Sequence, residues 1–209
     1  MNGHVKSMCC PRFMELATSK FLFVAVSSNQ QCGNLQPTLK LTRLVQKESV
    51  DLIKTYKAAQ GEMSELFCKV PINNVPDPNI SGLESSERIA SIYTNLQAFL
   101  AHLKRVYEQQ LDLQLPTSTL LSKLHQFSTF SGNLAGRVSG LYQTLFPNLP
   151  VPEPAGPTTL PPPQNVFQQK VYGCVVLKIY KEFLSNVLQE LRTVKSQVCR
   201  RAELNAPFF

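Results

Sequence analysis

The cysteines are the side chains of this sequence whose type and spacing are most informative about chemistry. Six occur in the 209 residues, and four of them follow residue 28: Cys32, Cys68, Cys174 and Cys199. No Cys-x-x-Cys pair occurs, which argues against a zinc ribbon and a thioredoxin-type redox site. An even number of widely spaced cysteines favours two disulfides in a secreted chain, whereas in a cytosolic chain the same residues would stay reduced and buried.

The other reactive side chains form no catalytic pattern in the sequence. The three histidines, His4, His102 and His125, are far apart, and we assign His102 and His125 to polar helix faces. The His-Glu-x-x-His, Gly-x-Ser-x-Gly and phosphate-loop signatures do not occur. The sequence therefore predicts a protein that is not an enzyme and that holds neither a metal nor a cofactor.

Composition narrows the class of protein further. The chain has 43% hydrophobic and 17% charged residues, which is typical of a globular protein and not of a disordered one. Its net charge of +7 favours acidic partners such as acidic glycans. Because the basic residues are spread along the chain and no apolar run has the length of a bilayer span, we predict neither nucleic-acid binding nor membrane insertion.

Four long segments carry apolar residues at the three- and four-residue spacing of amphipathic helices. These segments cover residues 37–60, 86–113, 117–146 and 165–199. Pro37 suits the first turn of the first helix and Gly61 suits its C-terminal stop, while Ser85 or Ser86 suits the N-cap of the second helix. We predict that the four helices build one domain, residues 29–209.

The lengths of the connecting segments predict the topology. Long proline-containing segments join the first helix to the second and the third to the fourth, and only a few residues around Pro116 join the second to the third. A short connection makes two helices antiparallel neighbours, whereas a long one can cross the whole length of a bundle. We therefore predict an all-α, long-chain up-up-down-down four-helix bundle with two long crossover loops. An up-down bundle with enlarged loops is the alternative.

This topology also predicts how the four cysteines pair. Cys32 before the first helix and Cys199 at the end of the fourth fall at one end of the bundle, and Cys68 and Cys174 fall at the other. The disulfides Cys32–Cys199 and Cys68–Cys174 therefore join neighbouring residues, while the other pairings would have to span most of the bundle.

The first 28 residues have the order of a secretory signal peptide. Basic residues precede the apolar run at 21–26, and two serines follow it. Cleavage near Ser28 would remove Cys9 and Cys10 and release a secreted, extracellular protein. The alternative is that this segment is the first turn of a buried helix or a frayed terminus. In a secreted protein, Asn79 in the triplet Asn79-Ile80-Ser81 is a predicted glycosylation site.

Short segments of the chain resemble the interleukin-6 family of long-chain helical cytokines. Residues 58–62 and 66–68 resemble the end of helix A and the first crossover in the branch with leukemia inhibitory factor, oncostatin M, cardiotrophin and ciliary neurotrophic factor. Residues 165–174 resemble the start of helix D, and residues 133–141 resemble part of helix C. The family's bridge from the first crossover to helix D falls on Cys68 and Cys174.

The resemblance implies a function and a binding site. It implies a secreted, monomeric ligand that assembles receptor chains of the glycoprotein 130 and leukemia inhibitory factor receptor type and triggers JAK-STAT signalling. The receptor hot spot of this branch, a Phe and a Lys three residues later, falls on Phe167 and Lys170. An aromatic anchor beside a cation is a common hot-spot pairing. From the residues alone, the alternative is that Phe167 caps the core and Lys170 is simply solvated.

A second candidate surface comes from three glycines spaced by four residues in the third helix. Gly132, Gly136 and Gly140 lie opposite the core stripe, where each lowers helix stability by about 1 kcal/mol relative to Ala. Because a glycine stripe lets another backbone come close, we predict a docking face on the first and third helices. The family resemblance implies that its partner is glycoprotein 130, the shared receptor chain. The alternative is that the second crossover packs over these glycines.

A different class of function is an amphipathic helical carrier of lipid or small apolar molecules. Helices with broad apolar stripes could open onto a membrane. The crossover prolines and the two bridges between helix ends oppose such opening, so this function ranks second.

Overall fold

The computed structural model describes residues 15–61, 63–154, 156, 158–162 and 164–204, with side chains described between residues 30 and 200 of these ranges. Within them the chain is all-α and has no strand, which confirms the predicted fold class. The helices are α1 (Glu15–Gln60), α2 (Ser64–Phe67), α3 (Ser85–Leu113), α4 (Thr119–Leu145) and α5 (Val166–Leu204).

Contacts between the long helices show that α1 is antiparallel to α4 and α5. α1 packs on both of them, and α3 packs on the same two helices, so α1 and α3 lie diagonally across the bundle. Near the start of α1, Gln31 Nε2 donates to the carbonyl of Thr144 at the end of α4, at 3.1 Å. Near the end of α1, Tyr56 bonds to Lys170 at the start of α5.

α3 runs in the same direction as α1. At the ends of these two helices, Gln60 Nε2 lies 2.7 Å from Gln110 Oε1. At the start of α3, Arg88 forms an ion pair with Glu190, late in α5, at 2.8 Å. Two helices therefore point one way and two the other. We call the end where α1 and α3 finish the upper end and the opposite one the lower end.

Two long connections run between these ends. The first, residues 61–84, leaves the upper end through α2 and passes α5, where Asn186 Nδ2 donates to the carbonyl of Pro78 at 3.0 Å. The second, residues 146–165, reaches the upper end at Gln164, whose Oε1 accepts from Gln109 Nε2 at 2.7 Å. Each connection joins two helices that point in the same direction, as its length predicts.

α1 begins earlier than the sequence predicts. Pro37 does not lie in its first turn, because the helix starts at Glu15 and contains Pro37 in its interior. Pro37 has no N–H for the carbonyl of Gly33, a loss that normally disrupts a helix. Leu35 and Leu39 on either side of it are buried in the core. These tertiary contacts outweigh the proline signal.

The other helix ends differ less from the prediction. The N-cap of α3 is Glu84 instead of a serine, and the Glu87 carboxylate accepts from the backbone N–H groups of Leu83 and Glu84 at 2.8 and 3.2 Å. α1 ends before Gly61, whose φ of +91° suits the predicted stop. α5 continues to Leu204, and the short helix α2 was not predicted.

The N-terminal segment is only partly covered by the structure. Residues 15–28 belong to α1, while Cys9, Cys10 and His4 lie outside the described residues. The signal peptide stays a prediction. None of the described helices combines the length and the apolar character that a bilayer span requires.

The bundle is held together by a hydrophobic core, which includes a cluster of aromatic rings, and by two disulfides. The ring of Phe99 on α3 lies 4.8 Å from that of Tyr180 and 5.1 Å from that of Phe183, both on α5. The pairings Cys32–Cys199 and Cys68–Cys174 are present, with Cα–Cα distances of 5.2 and 5.0 Å. One disulfide lies toward each end of the bundle, as the topology predicts.

Candidate functional site

Exposed apolar side chains gather where α5 begins. Phe167, in its first turn, is 59% exposed, and its ring meets that of Phe67 on α2 edge-on at a centroid distance of 5.4 Å. Met63 and Leu66, which precede Phe67 along the chain, are also exposed, and Lys170 is half-buried. We call Phe167, Lys170, Met63 and Leu66 the α5 surface. Phe167 does not cap the core, because more than half of the residue is exposed to solvent.

The first turn of α5 is fixed by a reciprocal cap. The Asn165 side chain accepts from the Gln168 backbone N–H at 2.9 Å, and the Gln168 side chain accepts from the Asn165 backbone N–H at 3.0 Å. This capping box satisfies two backbone donors that a helix start would leave free. The backbone that carries Phe167 is thereby held in one conformation.

A buried chain of hydrogen bonds grips the next turn of α5 from inside the bundle. Tyr56 donates its hydroxyl to the carbonyl of Lys170 at 3.1 Å and accepts from Gln110 Nε2 at 3.3 Å. Gln60 completes the chain by donating to Gln110, and all three side chains are buried. Burial raises the pKa of the Tyr56 phenol well above its ordinary value, so the hydroxyl stays protonated and remains a donor.

Tyr56 can reach α5 because the facing residue is a glycine. A Cβ at Gly173 would stand 2.7 Å from Cζ of Tyr56, which no ordinary packing allows. Gly173 therefore lets α1 and α5 approach closely at the turn that follows Lys170. Neither the role of Gly173 nor that of the Tyr56 hydroxyl could be predicted from the sequence.

A histidine lies beneath the same region, contrary to the prediction. His102 does not lie on a polar helix face, because its side chain is fully buried and its Nδ1 lies 2.6 Å from the hydroxyl of Tyr172. Burial lowers the pKa of His102 to about 4, so the ring is neutral at pH 7. Its spacing from Phe99, Leu103 and Val106 is that of a core position and could have predicted this burial. His125 is exposed, as expected.

The disulfide Cys68–Cys174 ties the α5 surface to the first crossover. Cys68 directly follows Phe67, the residue that supports Phe167, and Cys174 lies one turn after Lys170. Three successive turns of α5 are thus held in place by the capping box, by the Tyr56 hydrogen bond beside Gly173, and by the disulfide. The result is an exposed aromatic ring on a rigid support, which is the arrangement of an interface anchor.

The glycines of α4 border a separate groove toward the lower end. Gly136 and Gly140 line it on one side, and Asn34, Pro37 and Thr38 of α1 line it on the other, around a volume of about 400 Å³. We call it the glycine groove. A Cβ built at Gly132, Gly136 or Gly140 meets no atom within 4 Å. The described part of the second crossover therefore does not pack over these glycines, contrary to the alternative considered above.

The predicted glycosylation site lies apart from both surfaces. Asn79 is exposed in the first crossover, and its backbone N–H donates to the Asp77 carboxylate at 2.8 Å. The site is accessible to a glycan, and its occupancy stays a prediction.

A four-helix bundle with two long crossovers has the architecture of the helical cytokines. A family model described as LIF / OSM family, for leukemia inhibitory factor and oncostatin M, matches residues 35–191 of the chain. The chain therefore belongs to the LIF / OSM family, which confirms the predicted relationship to interleukin-6-type cytokines and the prediction that it is not an enzyme. A direct comparison with curated proteins gives no match. The matched range contains the α5 surface, the disulfide Cys68–Cys174 and all the residues named for the glycine groove except Asn34.

Proposed function

We propose that this cytokine is secreted and that it assembles two receptor chains on the cell surface, which then signal through the JAK-STAT pathway. Phe167 and Lys170 on the α5 surface engage a chain of the leukemia inhibitory factor receptor type. The glycine groove between α1 and α4 engages glycoprotein 130. With one receptor on each surface, a single monomeric ligand brings two receptor chains together.

The observation that carries this proposal is the exposed ring of Phe167 on its rigid support. A large aromatic side chain that is 59% exposed gains little stability for the fold itself. Its edge-on contact with Phe67 and the capped helix start beneath it limit its motion, so little conformational entropy is lost when a partner covers it. Such anchors commonly contribute about 2 kcal/mol or more to an interface.

The proposal is tested with purified protein and immobilised receptor ectodomains. Phe167→Ala with Lys170→Ala is expected to weaken binding to the leukemia inhibitory factor receptor type by about 30-fold or more, as loss of a hot spot does. Binding to glycoprotein 130 is expected to stay unchanged. Leu83→Ala is the matched control, because Leu83 is 91% exposed and lies near the lower end, away from the α5 surface.

Two results would contradict the proposal. One is an α5-surface variant that binds both ectodomains as well as the unaltered protein. The other is wild-type protein that binds neither. Intact mass and disulfide mapping of protein collected from culture medium test secretion, cleavage near Ser28 and glycan occupancy at Asn79 in the same sample.

A further inference from the structure

Four lysines converge on a groove beside the α5 surface. The groove is lined by α1, by α2 with the residues that follow it, and by α5, around a volume of about 220 Å³. Its polar lining consists of Lys57, Lys69, Lys178, Lys181 and one carboxylate, Glu65. We call it the lysine groove. It shares Cys68 with the support of the α5 surface, but Phe167 and Lys170 do not line it.

The charges in the lysine groove are unbalanced. Glu65 is engaged by Lys57, whose Nζ lies 2.9 and 2.8 Å from the two carboxylate oxygens. This bond and the positive charges of Lys57 and Lys69 lower the pKa of Glu65, so it is ionised at pH 7. One negative charge therefore faces four positive ones along the lining. The excess attracts an anion with several charges, and binding relieves the repulsion among the lysines.

The groove is also held in shape before any ligand arrives. Lys178 Nζ donates to the carbonyl of Cys68 at 3.4 Å, and the Cys68–Cys174 bridge joins the two walls that carry Lys69 and Lys178. Lys57 is fixed by Glu65. Because two of the four cations already occupy defined positions, less entropy is lost on binding than for four free lysine side chains.

We propose that the lysine groove binds a sulfated glycan chain. Lysine ammonium groups are compact point charges that attract anionic groups spaced along a chain, and a sulfated glycan presents such groups at regular intervals. The proposal rests on the extracellular location proposed above, where such glycans occur, and not on either receptor surface. It places a glycan directly beside the α5 surface.

The test measures retention of purified protein on immobilised heparin in a salt gradient. Lys69→Gln with Lys181→Gln removes two charges while the bonds of Lys57 and Lys178 stay intact. This variant is expected to elute at lower salt and to bind heparin about tenfold more weakly. Lys104→Gln with Arg192→Gln removes the same charge from exposed sites outside the groove and is expected to change affinity less than twofold. An equal loss in both variants, or no loss in either, overturns the proposal.

Competitors identify the ligand class. Soluble heparin is expected to release the protein at concentrations where inorganic sulfate and desulfated heparin do not. Release by inorganic sulfate at equal sulfate concentration would overturn the glycan chain in favour of a single-anion site. Stronger release by polyglutamate would overturn it in favour of an acidic peptide.

If the double variant does not fold, Lys69→Gln alone, at an exposed site, is expected to lower the affinity for heparin about threefold. Receptor ectodomains are absent from this assay, so its failure is distinguishable from failure of the proposed receptor function.

Discussion

The α5 surface and the glycine groove present opposite features to a partner. On the α5 surface a large ring projects from the protein, and most of Phe167 is exposed. In the glycine groove Gly136 and Gly140 carry no side chain, and a Cβ at either position would meet no atom within 4 Å. The first surface offers an anchor for a pocket on its partner, whereas the second offers backbone that a partner can approach closely.

The two surfaces also differ in what supports them. The α5 surface rests on buried hydrogen bonds, one donated by the Tyr56 hydroxyl to the carbonyl of Lys170 and one between His102 and Tyr172. The glycine groove is formed by the spacing of α1 and α4, and a different disulfide, Cys32–Cys199, closes the bundle near it. Removing side chains should therefore damage the α5 surface, and adding them should damage the groove.

Removal of one disulfide at a time is expected to have the largest effect. Cys68→Ala with Cys174→Ala opens a link between residues 106 positions apart, and Cys32→Ala with Cys199→Ala opens one of 167. In the chain-entropy model each change lowers the free energy of unfolding by about 4–5 kcal/mol. Denaturant unfolding measures the loss.

Receptor binding separates the two disulfide variants. Loss of Cys68–Cys174 is expected to weaken binding to the leukemia inhibitory factor receptor type, because this bridge holds the crossover against α5. Loss of Cys32–Cys199 is expected to leave that binding intact at a temperature where both variants are folded. Equal binding losses would mean that the bridges stabilise the bundle as a whole and do not support separate surfaces.

Acid is expected to weaken the support of the α5 surface. The unfolded chain binds a proton at His102 with the ordinary pKa of 6.5, but the folded chain binds it only near pH 4. Between these values the unfolded state holds more protons than the folded state. The contribution of His102 to the free energy of unfolding is therefore complete above pH 6.5 and falls as the pH is lowered toward 4. The loss from this residue amounts to about 3 kcal/mol.

Urea unfolding at several pH values measures this loss. Carboxylates such as Glu65 and Glu87, whose pKa values are also lowered, add an acid-dependent loss of their own. His102→Gln isolates the histidine, because it keeps a polar side chain that does not titrate in this range. A variant with the same pH dependence as the wild type would rule out the assigned role of His102.

The disulfide pairing and the helix layout could be predicted because they depend on loop lengths. The proline-rich segments are long enough to cross the bundle, and this places Cys32 with Cys199 and Cys68 with Cys174. The match to the family suggested a receptor-binding role for Phe167; the side chain is exposed, and the role stays a prediction. The early start of α1 could not be predicted, because Pro37 is a strong local signal and the contacts that override it come from distant segments.

The support of the α5 surface could not be predicted because its partners are far apart in the sequence. Tyr56 has the spacing of an ordinary core residue, and nothing near it shows that its hydroxyl reaches the carbonyl of Lys170, 114 residues away. Gly173 carries no turn signal, since its role is to leave space for that ring. Periodicity indicates which side of a helix is buried, but it does not reveal which polar atoms meet inside.

Tyr56→Phe tests whether the buried hydroxyl supports the α5 surface. The change removes the donor to Lys170 and leaves Gln110 without its acceptor, which is expected to lower the free energy of unfolding by about 1–2 kcal/mol. Binding to the leukemia inhibitory factor receptor type should weaken, while binding to glycoprotein 130 should not. Thr94→Val is the matched control, since it removes a hydroxyl bonded only within α3. If the Tyr56→Phe variant bound both receptors as well as the wild type, the buried hydrogen bonds of Tyr56 would contribute to folding alone and not to receptor binding.

Gly136→Ala is expected to have the smallest effect on stability and, unlike the other changes, one of the opposite sign. Nothing obstructs a methyl group there, so the free energy of unfolding is expected to rise by about 1 kcal/mol, the difference between Gly and Ala in a helix. Glycoprotein 130 should nevertheless bind less well, and Gly136→Leu should weaken that binding about tenfold, because the added side chain occupies the groove.

Asn133→Ala on the same helix is the control. It also raises helix propensity but lies outside the groove lining, so it should stabilise the protein without changing binding to glycoprotein 130. A Gly136→Leu variant that binds glycoprotein 130 normally would leave the α5 surface as the one supported docking site, because a partner that tolerates leucine there does not approach the α4 backbone.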